Sequence, residues 1–362
     1  MSAEPMREDP NREEPMREEP ISEGAGTGQA TLRILAAGGG VTLQDAGRHG
    51  FLRYGITPAG PMDPLAHATA NRALDNPPGA TLIEVSLGGL SLTTAGAAVD
   101  VALAGGDLRI DLDGRALPGA VALTLRPGAR LTLRAGRGGA WCSLAVAGEI
   151  AVAPVLGSTA THTRSGLGGL DGRGLRAGDT LAVRNPRAAV GDPCRLAAPW
   201  LHRPPDVIRV VLGPQDDLFA ASVRDAFLAG PWRIGPRGDR MASFLEGPSL
   251  QARSHDIVSD GIAMGAIQVP GSGQPLVLMA DRQPTGGYPK IATVIGADLG
   301  RLAQAQAGTA LRFAAVDLAQ AVAARRAERD ALVPDIRREP VLRTEFPSEF
   351  LLGTNLIDGV VG

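Results

Sequence analysis

Short runs of alternating apolar and polar residues dominate the chain between Thr81 and Val183. The clearest runs are residues 99–103, 108–112, 121–125 and 131–133, and turns rich in glycine or proline separate them. Period-two alternation places successive side chains on opposite faces of a strand. The pattern therefore predicts antiparallel sheet, in a sandwich or a barrel.

A second group of strands is predicted further along the chain, at residues 207–212, 267–269, 275–279 and 291–295. These runs are more continuously apolar than the first group. Continuous apolar strands are typical of sheets that are buried on both faces. The hydrophobic pattern as a whole predicts a mainly β fold in two units.

Few helices are predicted. Asp63 can cap a helix with Pro64 in its first turn, and Asp216 can begin a similar helix that ends before Gly230. Both aspartates close a Gly-Pro-x-Asp sequence, at residues 60–63 and 213–216, which hints that the two halves are related domains. A last helix is predicted at about residues 317–332.

The length of 362 residues favours about two domains. The first 20 residues repeat charged pentads ending in proline, which excludes both a helix and a core, so residues 1–29 are predicted to be a disordered tail. Residues 30–198 and residues 206–315 are then predicted to form two β-rich domains. The proline-rich stretch 193–205 contains the linker, placed at 199–205, and residues 316–362 form a helix and tail whose apolar pieces can dock on the body or a partner.

Composition excludes several classes of function. The net charge of −2 and an aromatic content of 3% argue against binding to nucleic acid or an anionic membrane. No apolar run reaches the roughly 20 residues of a membrane span, and the N-terminus lacks the apolar region of a signal peptide. Two distant cysteines indicate a reducing, cytoplasmic compartment, and five scattered histidines predict no metal site.

The first candidate site lies between Gln44 and Asp63, where glycines allow the backbone to approach a ligand closely. Gln44, Asp45, Arg48 and Asp63 together can hold a planar amide or a carboxylate. A structural interpretation assigns Asp63 to helix capping and Asp45 with Arg48 to an ion pair. The sequence leaves both open.

A second candidate site is the glycine-rich loop from Asp281 to Lys290, the only lysine of the chain. Tyr288 and Lys290 offer proton donors and a positive charge for a developing oxyanion, and the loop's polar residues can line one cleft. The alternative is a hairpin turn with ordinary polar residues. For the adjacent pair Asp239 and Arg240, an ion pair that braces a loop is the simpler explanation.

Familiar catalytic motifs are missing from the chain. It has no Gly-x-x-x-x-Gly-Lys-Ser/Thr phosphate loop and no Gly-x-Ser-x-Gly elbow. It also lacks the Ala-Met-Lys-Met sequence to which biotin is attached. Any ATP chemistry must use an unfamiliar site or belong to a partner.

At these segments the chain resembles the biotin-dependent carboxyltransferase-like family. This family includes the C subunit of 5-oxoprolinase, the second subunit of allophanate hydrolase, Kip-type antagonist subunits and the carboxyltransferase region of urea carboxylase. The resemblance rests on Gln44-Asp45-x-Gly47-Arg48-x-Gly50, Gly55-x-x-x-x-Gly60-x-Met62-Asp63, Ala70-Asn71 followed by Leu74, Asn76 and Glu84, Asp239-Arg240-Met241, and residues 265–270 through 286–289. It extends from about residue 31 to 315.

The resemblance implies two cyclophilin-like β-barrel domains and membership of an ATP-dependent complex that opens 5-oxoproline to glutamate or acts on allophanate. Its partners would be proteins like the B subunit of 5-oxoprolinase, which is of the Kip-inhibitor type, and like the A subunit, with ATP bound at the level of the complex. The alternatives are a carboxyltransferase that moves a carboxyl group from carboxybiotin to a urea-like substrate, with biotin carried elsewhere, and a regulatory binding subunit. Departures at Ala59, Gly238 and residues 242–244 put the substrate in question.

The candidate site residues divide into two groups. The predicted catalytic residues are Asp45, Arg48, Asp63, Tyr288 and Lys290. The predicted substrate-binding residues are Gln44, Asn71, Glu84, Asp239, Arg240, Gln268, Asp281, Gln283 and Thr285.

Overall fold

The computed structural model describes residues 28–331 and 336–341. The predicted disordered tail lies almost wholly outside these residues, as do the apolar pieces of the C-terminal tail. Within the described residues the fold is mainly β, as predicted, and no helix is long and apolar enough to cross a membrane.

The first unit is one sheet of twelve strands, eleven of which precede residue 198. These eleven are β1 (Ala30–Ala37), β2 (Thr42–Gln44), β3 (Leu82–Ser86), β4 (Leu90–Gly96), β5 (Val99–Leu112), β6 (Arg115–Leu117), β7 (Val121–Leu125), β8 (Arg130–Val146), β9 (Glu149–Ile150), β10 (Thr180–Arg184) and β11 (Cys194–Ala197). β8 lies at the centre, where it pairs with β3, β4 and β5.

Two runs that the alternation predicts separately, 99–103 and 108–112, are halves of the single strand β5. The register between β5 and β8 shifts at Gly105 and Asp107. A bulge lets a strand bend without ending, so the interruption in the pattern marks an irregularity within the strand. Gly105 has φ of +129°, which a residue with a side chain rarely adopts.

The second unit is a closed barrel of seven strands, in the order β12 (Val207–Leu212), β19 (Lys290–Val294), β16 (Ala266–Gln268), β17 (Leu276–Leu278), β14 (Ala242–Glu246), β13 (Trp232–Gly238) and β20 (Ala310–Ala315). All neighbours are antiparallel except β12 and β20. A two-stranded ribbon of β15 (Asp260–Gly261) and β18 (Thr285–Gly286) lies outside the barrel path.

The proline-rich stretch 193–205 is not wholly a linker. β11 pairs with β7 on one side and on the other with β21 (Arg337–Pro340), the twelfth strand of the first sheet. The chain therefore returns to the first unit after completing the barrel. Residues Pro199–Leu201 form a short 3₁₀ helix.

Helices begin close to their predicted positions, with one correction. In α1 (Pro64–Arg72) the Asp63 carboxylate accepts from the backbone nitrogens of Leu65 and Ala66, which confirms the capping prediction. The helix predicted from Asp216 is split into a 3₁₀ turn (Asp216–Leu218) and α2 (Ala221–Ala229). The reason is the extended backbone of Phe219 between them, with φ of −110° and ψ of 130°. α3 (Leu299–Ala303) and α4 (Leu318–Ala331) complete the set.

The two units pack directly against each other. Gln304, just after α3, accepts hydrogen bonds from the backbone nitrogens of Ala140 and Trp141 at 2.9 and 3.0 Å. Its amide nitrogen donates to Asp63 and to the Trp141 carbonyl. Met62 and Trp141 of the first unit also belong to the apolar core of the barrel. The interface is therefore continuous with a hydrophobic core.

Candidate functional site

Polar side chains gather at one end of the barrel around Lys290, a group we call the Lys290 cluster: Gln215, Asp260, Gln268, Gln283 and Lys290. Lys290 is 2% exposed, and its ammonium donates to Asp260 at 2.8 Å. The Asp260 side chain is about half exposed, at 50%. A buried cation thus faces a carboxylate that solvent and small molecules can reach.

Barrel register places these side chains together. Gln268 in β16 pairs directly with Lys290 in β19, so the two side chains lie side by side. The Lys290 backbone nitrogen donates to the side-chain oxygen of Gln215, whose amide nitrogen donates to Asp260. The Lys290 ammonium is the main cause that lowers the pKa of Asp260, and the Gln215 amide lowers it further. Asp260 is therefore an anion at neutral pH.

Gln268 contributes an unpaired donor to the Lys290 cluster. The side chain is 1% exposed and its oxygen accepts from the Gln283 amide at 3.4 Å. Its own amide nitrogen has no hydrogen-bond partner among the described residues. An unpaired buried donor is costly, by about 1–3 kcal/mol, unless a ligand or water satisfies it. The cluster therefore brings together a cation, an anion and an unpaired neutral donor.

A different set of predicted residues joins the two units through Arg240. Arg240 is 6% exposed, and its guanidinium donates to both carboxylate oxygens of Asp281 at 2.8 and 3.0 Å. It also bonds to Glu84 of the first unit and to the Gly60 carbonyl, the latter at 2.7 Å. Burial raises the pKa of Glu84, and Arg240 and the backbone nitrogen of Met62 oppose that rise. The predicted pair of Arg240 with Asp239 is wrong, because Arg240 turns to these two buried acids.

A cleft of about 590 Å³ opens beside Arg240, between the two units. Its walls are largely small or apolar, with Met62, Trp141 and Ile234 among them, and Arg164 and Asp239 supply charge. Asp281 lines this cleft, but the structure does not include Gln283, Tyr288 or Lys290 in its lining. The loop 281–290 therefore contributes to two places, and the prediction of one cleft is wrong.

The first candidate site proves to be tightly bonded within the protein. Asp45 accepts from the Ser158 hydroxyl at 2.6 Å and the Thr159 backbone nitrogen at 2.7 Å. Arg48, 1% exposed, donates to carbonyls of the same segment, including that of Val155. The predicted ion pair between Asp45 and Arg48 is wrong, because each instead fixes residues 155–160. One terminal nitrogen of Arg48, Nη1, has no partner among the described residues.

Three further predicted residues have structural partners. Gln44 is fully buried and bonds to Thr42, Thr161 and Gly60. Asn71 donates to the Ala80 carbonyl and accepts from Asn76. Besides capping α1, Asp63 accepts from one terminal nitrogen of Arg203, Nη2, which donates to both carboxylate oxygens at 2.8 and 2.9 Å. These hydrogen bonds stabilise the first unit and its interface with the second unit.

The remaining predicted residues lie near the surface. Tyr288 is 44% exposed and Thr285 is exposed in the ribbon beside Gly261. Asp239 accepts from the backbone nitrogens of Met241 and Ala242, which closes a turn. All three residues are exposed to solvent.

Sequence reasoning missed Gln215, Asp260 and His162. Gln215 lies inside the second Gly-Pro-x-Asp sequence, at residues 213–216, which predicted only that the two halves are related domains. Asp260 carries no motif, and only the pairing of β15 with β18 brings it to Lys290. His162 is buried beside the interdomain cleft: its Nδ1 accepts from the Ser165 backbone nitrogen and its Nε2 bonds to Thr57 at 3.0 Å.

His162 predicts a specific pH dependence of stability. Burial lowers the pKa of His162; Asp281 opposes this shift, while Arg240 and Arg48 add to it. Since the unfolded histidine binds a proton near pH 6.5 and the folded one does not, the folded state loses stability as the pH falls below that value. We expect the wild type to lose on the order of 1 kcal/mol more than His162→Asn between pH 7.5 and 5.5. Urea unfolding at both pH values measures this, and equal losses in the two proteins would contradict it.

Comparisons with known proteins agree on one family. The profile of the carboxyltransferase domain, subdomain A and B, matches residues 54–315. The 5-oxoprolinase C subunit of Escherichia coli K12 is 38% identical over 301 residues, which cover 81% of this chain and 94% of that protein. The corresponding subunit of Haemophilus influenzae is 35% identical over 309 residues, covering 84% of this chain and 97% of that one.

Solved structures show the same relationship at lower identity. The crystal structure of the K. lactis urea amidolyase superposes with a TM-score of 0.76 at 25% identity. The match covers 87% of this chain but only 20% of the urea amidolyase chain. From the profile match and the two 5-oxoprolinase relatives, the chain belongs to the family of carboxyltransferase domains with subdomains A and B.

Proposed function

We propose that this chain is the C subunit of a 5-oxoprolinase-type complex in which the Lys290 cluster binds a small amide or lactam. The observation that carries the proposal is the cross-strand pair of Lys290, whose ammonium is buried, and Gln268, whose amide nitrogen has no partner among the described residues. The identity of 35–38% to relatives that bear this subunit's name supports the same function.

The donor set suits an N–C=O group. The carbonyl oxygen of a substrate can accept from Gln268 and from Lys290, whose ammonium carries three donors. The substrate N–H can donate to Asp260, which is anionic and half exposed. When a nucleophile attacks the carbonyl, negative charge develops on its oxygen, and the nearby ammonium stabilises it. Lys290 and Gln268 thus favour the transition state, and Asp260 orients the substrate.

ATP and the other subunits enter at the level of the complex. The chain carries no phosphate loop, so we assign ATP to a partner, a protein like the A subunit of 5-oxoprolinase acting with one like the B subunit, of the Kip-inhibitor type. The single lysine is buried in the barrel and paired with Asp260, which is unsuitable for attaching biotin. The two cysteines are unpaired thiols, which favours a cytoplasmic complex.

A second candidate function is carboxyl transfer to a urea-like substrate. The structural similarity to urea amidolyase favours it, although this chain spans only a fifth of that enzyme. The interdomain cleft, at about 590 Å³ with small and apolar walls, has the size and character of a small-molecule pocket. Carboxybiotin on a separate carrier would supply the carboxyl group, and Met62, Trp141 and Arg164 are the residues that would hold its ring and polar edge.

Reconstitution distinguishes the two functions. We expect the purified chain alone to show no turnover of 5-oxoproline, and the chain mixed with its A and B subunits to release glutamate only when ATP is present. The measurement is glutamate formed per ATP hydrolysed, with and without avidin, which sequesters biotin.

Each outcome has a clear meaning. Turnover by the isolated chain, or by the A and B subunits without it, would overturn the proposal. Loss of activity upon addition of avidin would favour the carboxyltransferase function. Activity that needs the chain, needs ATP and resists avidin would support the 5-oxoprolinase function.

A further inference from the structure

A groove runs between α4 and the start of α1, on a part of the molecule that the proposed function does not use. Pro64 and Leu65 form one side, and Val322, Glu328 and three arginines of α4 form the other. This α4 groove encloses about 470 Å³. α4 lies beyond residue 315, where the match to the carboxyltransferase domain ends.

The apolar side chains of α4 are left uncovered by the described residues. None of its 14 residues is buried. Leu318 is 71% exposed and Val322 is 41% exposed, one turn apart on the same side of the helix. A helix stripe of this kind usually contacts another element.

The lower half of the same stripe is cationic. Among the described residues, Arg326 makes no hydrogen bond or ion pair, and Arg329 bonds only to its neighbour Asp330, at 3.4 Å. Arg325 bonds to Glu328 within the helix. Because the whole chain has a net charge of −2, this is a local concentration of positive charge. A segment that combines acidic and large apolar residues would complement the α4 groove best.

The chain contains one such segment, residues 342–362. It places Glu345 beside Phe346 and Glu349 beside Phe350, and its acids exceed its single arginine. Two of the seven phenylalanines of the protein lie here. The N-terminal pentads are also acidic, but they have no aromatic residue. The C-terminal segment matches both halves of the α4 groove.

The described chain also ends close enough to the groove. In β21, Arg338 donates to the Ala73 carbonyl, at the end of α1. The groove lies at the other end of this nine-residue helix, roughly 13 Å away at 1.5 Å per residue. Residues 339 and 340 are paired with β11, and Val341 packs against the core of the first unit, so the free segment begins at residue 342, roughly 10 Å further along the chain than Arg338. The eight residues 342–349 span roughly 26 Å when extended, which brings Phe350 within reach of the groove.

From these observations we infer that the C-terminal segment of the same chain occupies the α4 groove. Phe350 packs against Leu318 and Val322. Glu345 and Glu349 pair with Arg326 and Arg329. The segment thereby covers the apolar stripe and clamps α4 to α1.

Photo-crosslinking in the full chain tests this inference. Phe350 is replaced by the photoreactive residue benzoylphenylalanine, and mass spectrometry maps the crosslinked peptides. We expect crosslinks within one chain to residues 64–65 or 318–329. The double variant R326E/R329E should reduce their yield at least fivefold, and adding E345R/E349R should restore it.

A matched control uses the exposed arginines Arg126 and Arg137, whose replacement by glutamate should leave the yield unchanged. Circular dichroism of each variant shows whether α4 remains helical. Crosslinks to another surface, crosslinks between two chains, or a yield that ignores charge reversal would each overturn the inference. None of these outcomes depends on enzymatic activity, so the result is separate from the proposed function.

Discussion

Replacing Arg240 by methionine is expected to lower the free energy of unfolding by about 3–5 kcal/mol, measured by urea denaturation. The side chain is 6% exposed and neutralises two acids that are themselves buried, Glu84 and Asp281. Methionine fills a similar space but leaves both carboxylates without a counter-charge. Removing one partner of a buried ion pair destabilises a protein by far more than the intact pair stabilises it. The reason is that the charge left behind is desolvated and unpaired.

The same substitution should alter the contact between the two units. Arg240 is bonded within its own barrel to Asp281 and across the interface to Glu84 and the Gly60 carbonyl. Asp281 begins the loop that leads to Lys290. We therefore expect Arg240→Lys, which keeps the charge but loses the bidentate geometry, to be intermediate in stability.

A matched control is Arg164→Met, in the same cleft. Arg164 is exposed and makes no ion pair with the described residues, so its loss should change stability by about 0.5 kcal/mol or less. If Arg240→Met were as mild as Arg164→Met, the Arg240 network would not hold the units together as the structure indicates.

Hydrophobic patterning predicted the strands well because it reports which face of each strand is buried. The runs at 121–125 and 207–212 coincide with β7 and β12. The hydrophobic pattern does not indicate which strands, distant in sequence, become neighbours in a sheet. The strand Cys194–Ala197 was not predicted, because it lies in a proline-rich stretch. Its pairing with β7 and β21 depends on tertiary contacts that the local sequence does not show.

The site was predictable in residue type and much less so in geometry. Arg240, Asp281 and Glu84 all stood out in the sequence, but Arg240 and Glu84 are 156 residues apart, so no local rule could pair them. Conversely, Asp45 and Arg48 are close in sequence and contact different atoms of one distant segment. Lys290 was conspicuous as the only lysine, whereas its partner Asp260 became visible only in the folded barrel.

Replacing Lys290 by methionine is expected to reduce kcat of the reconstituted complex by roughly 10²–10³-fold, the usual effect of losing one group that stabilises an oxyanion. The effect on folding should be small. Methionine suits the buried position, and the Asp260 carboxylate left behind is half exposed and remains solvated. A large loss of kcat with an unchanged unfolding midpoint would separate catalysis from structure.

Kinetic detail decides what Lys290 does. If the ammonium acts mainly on the developing charge, kcat falls while KM changes little; if it only binds substrate, KM rises and kcat is kept. Arg253→Met, an exposed arginine in the same unit, serves as the control and should retain activity. Should Lys290→Met keep activity within about threefold of the wild type, below the range expected for an acid–base or oxyanion role, Lys290 would be a structural residue. The regulatory interpretation of this chain would then become the stronger one, because the buried ammonium at the barrel mouth would have no part in the reaction.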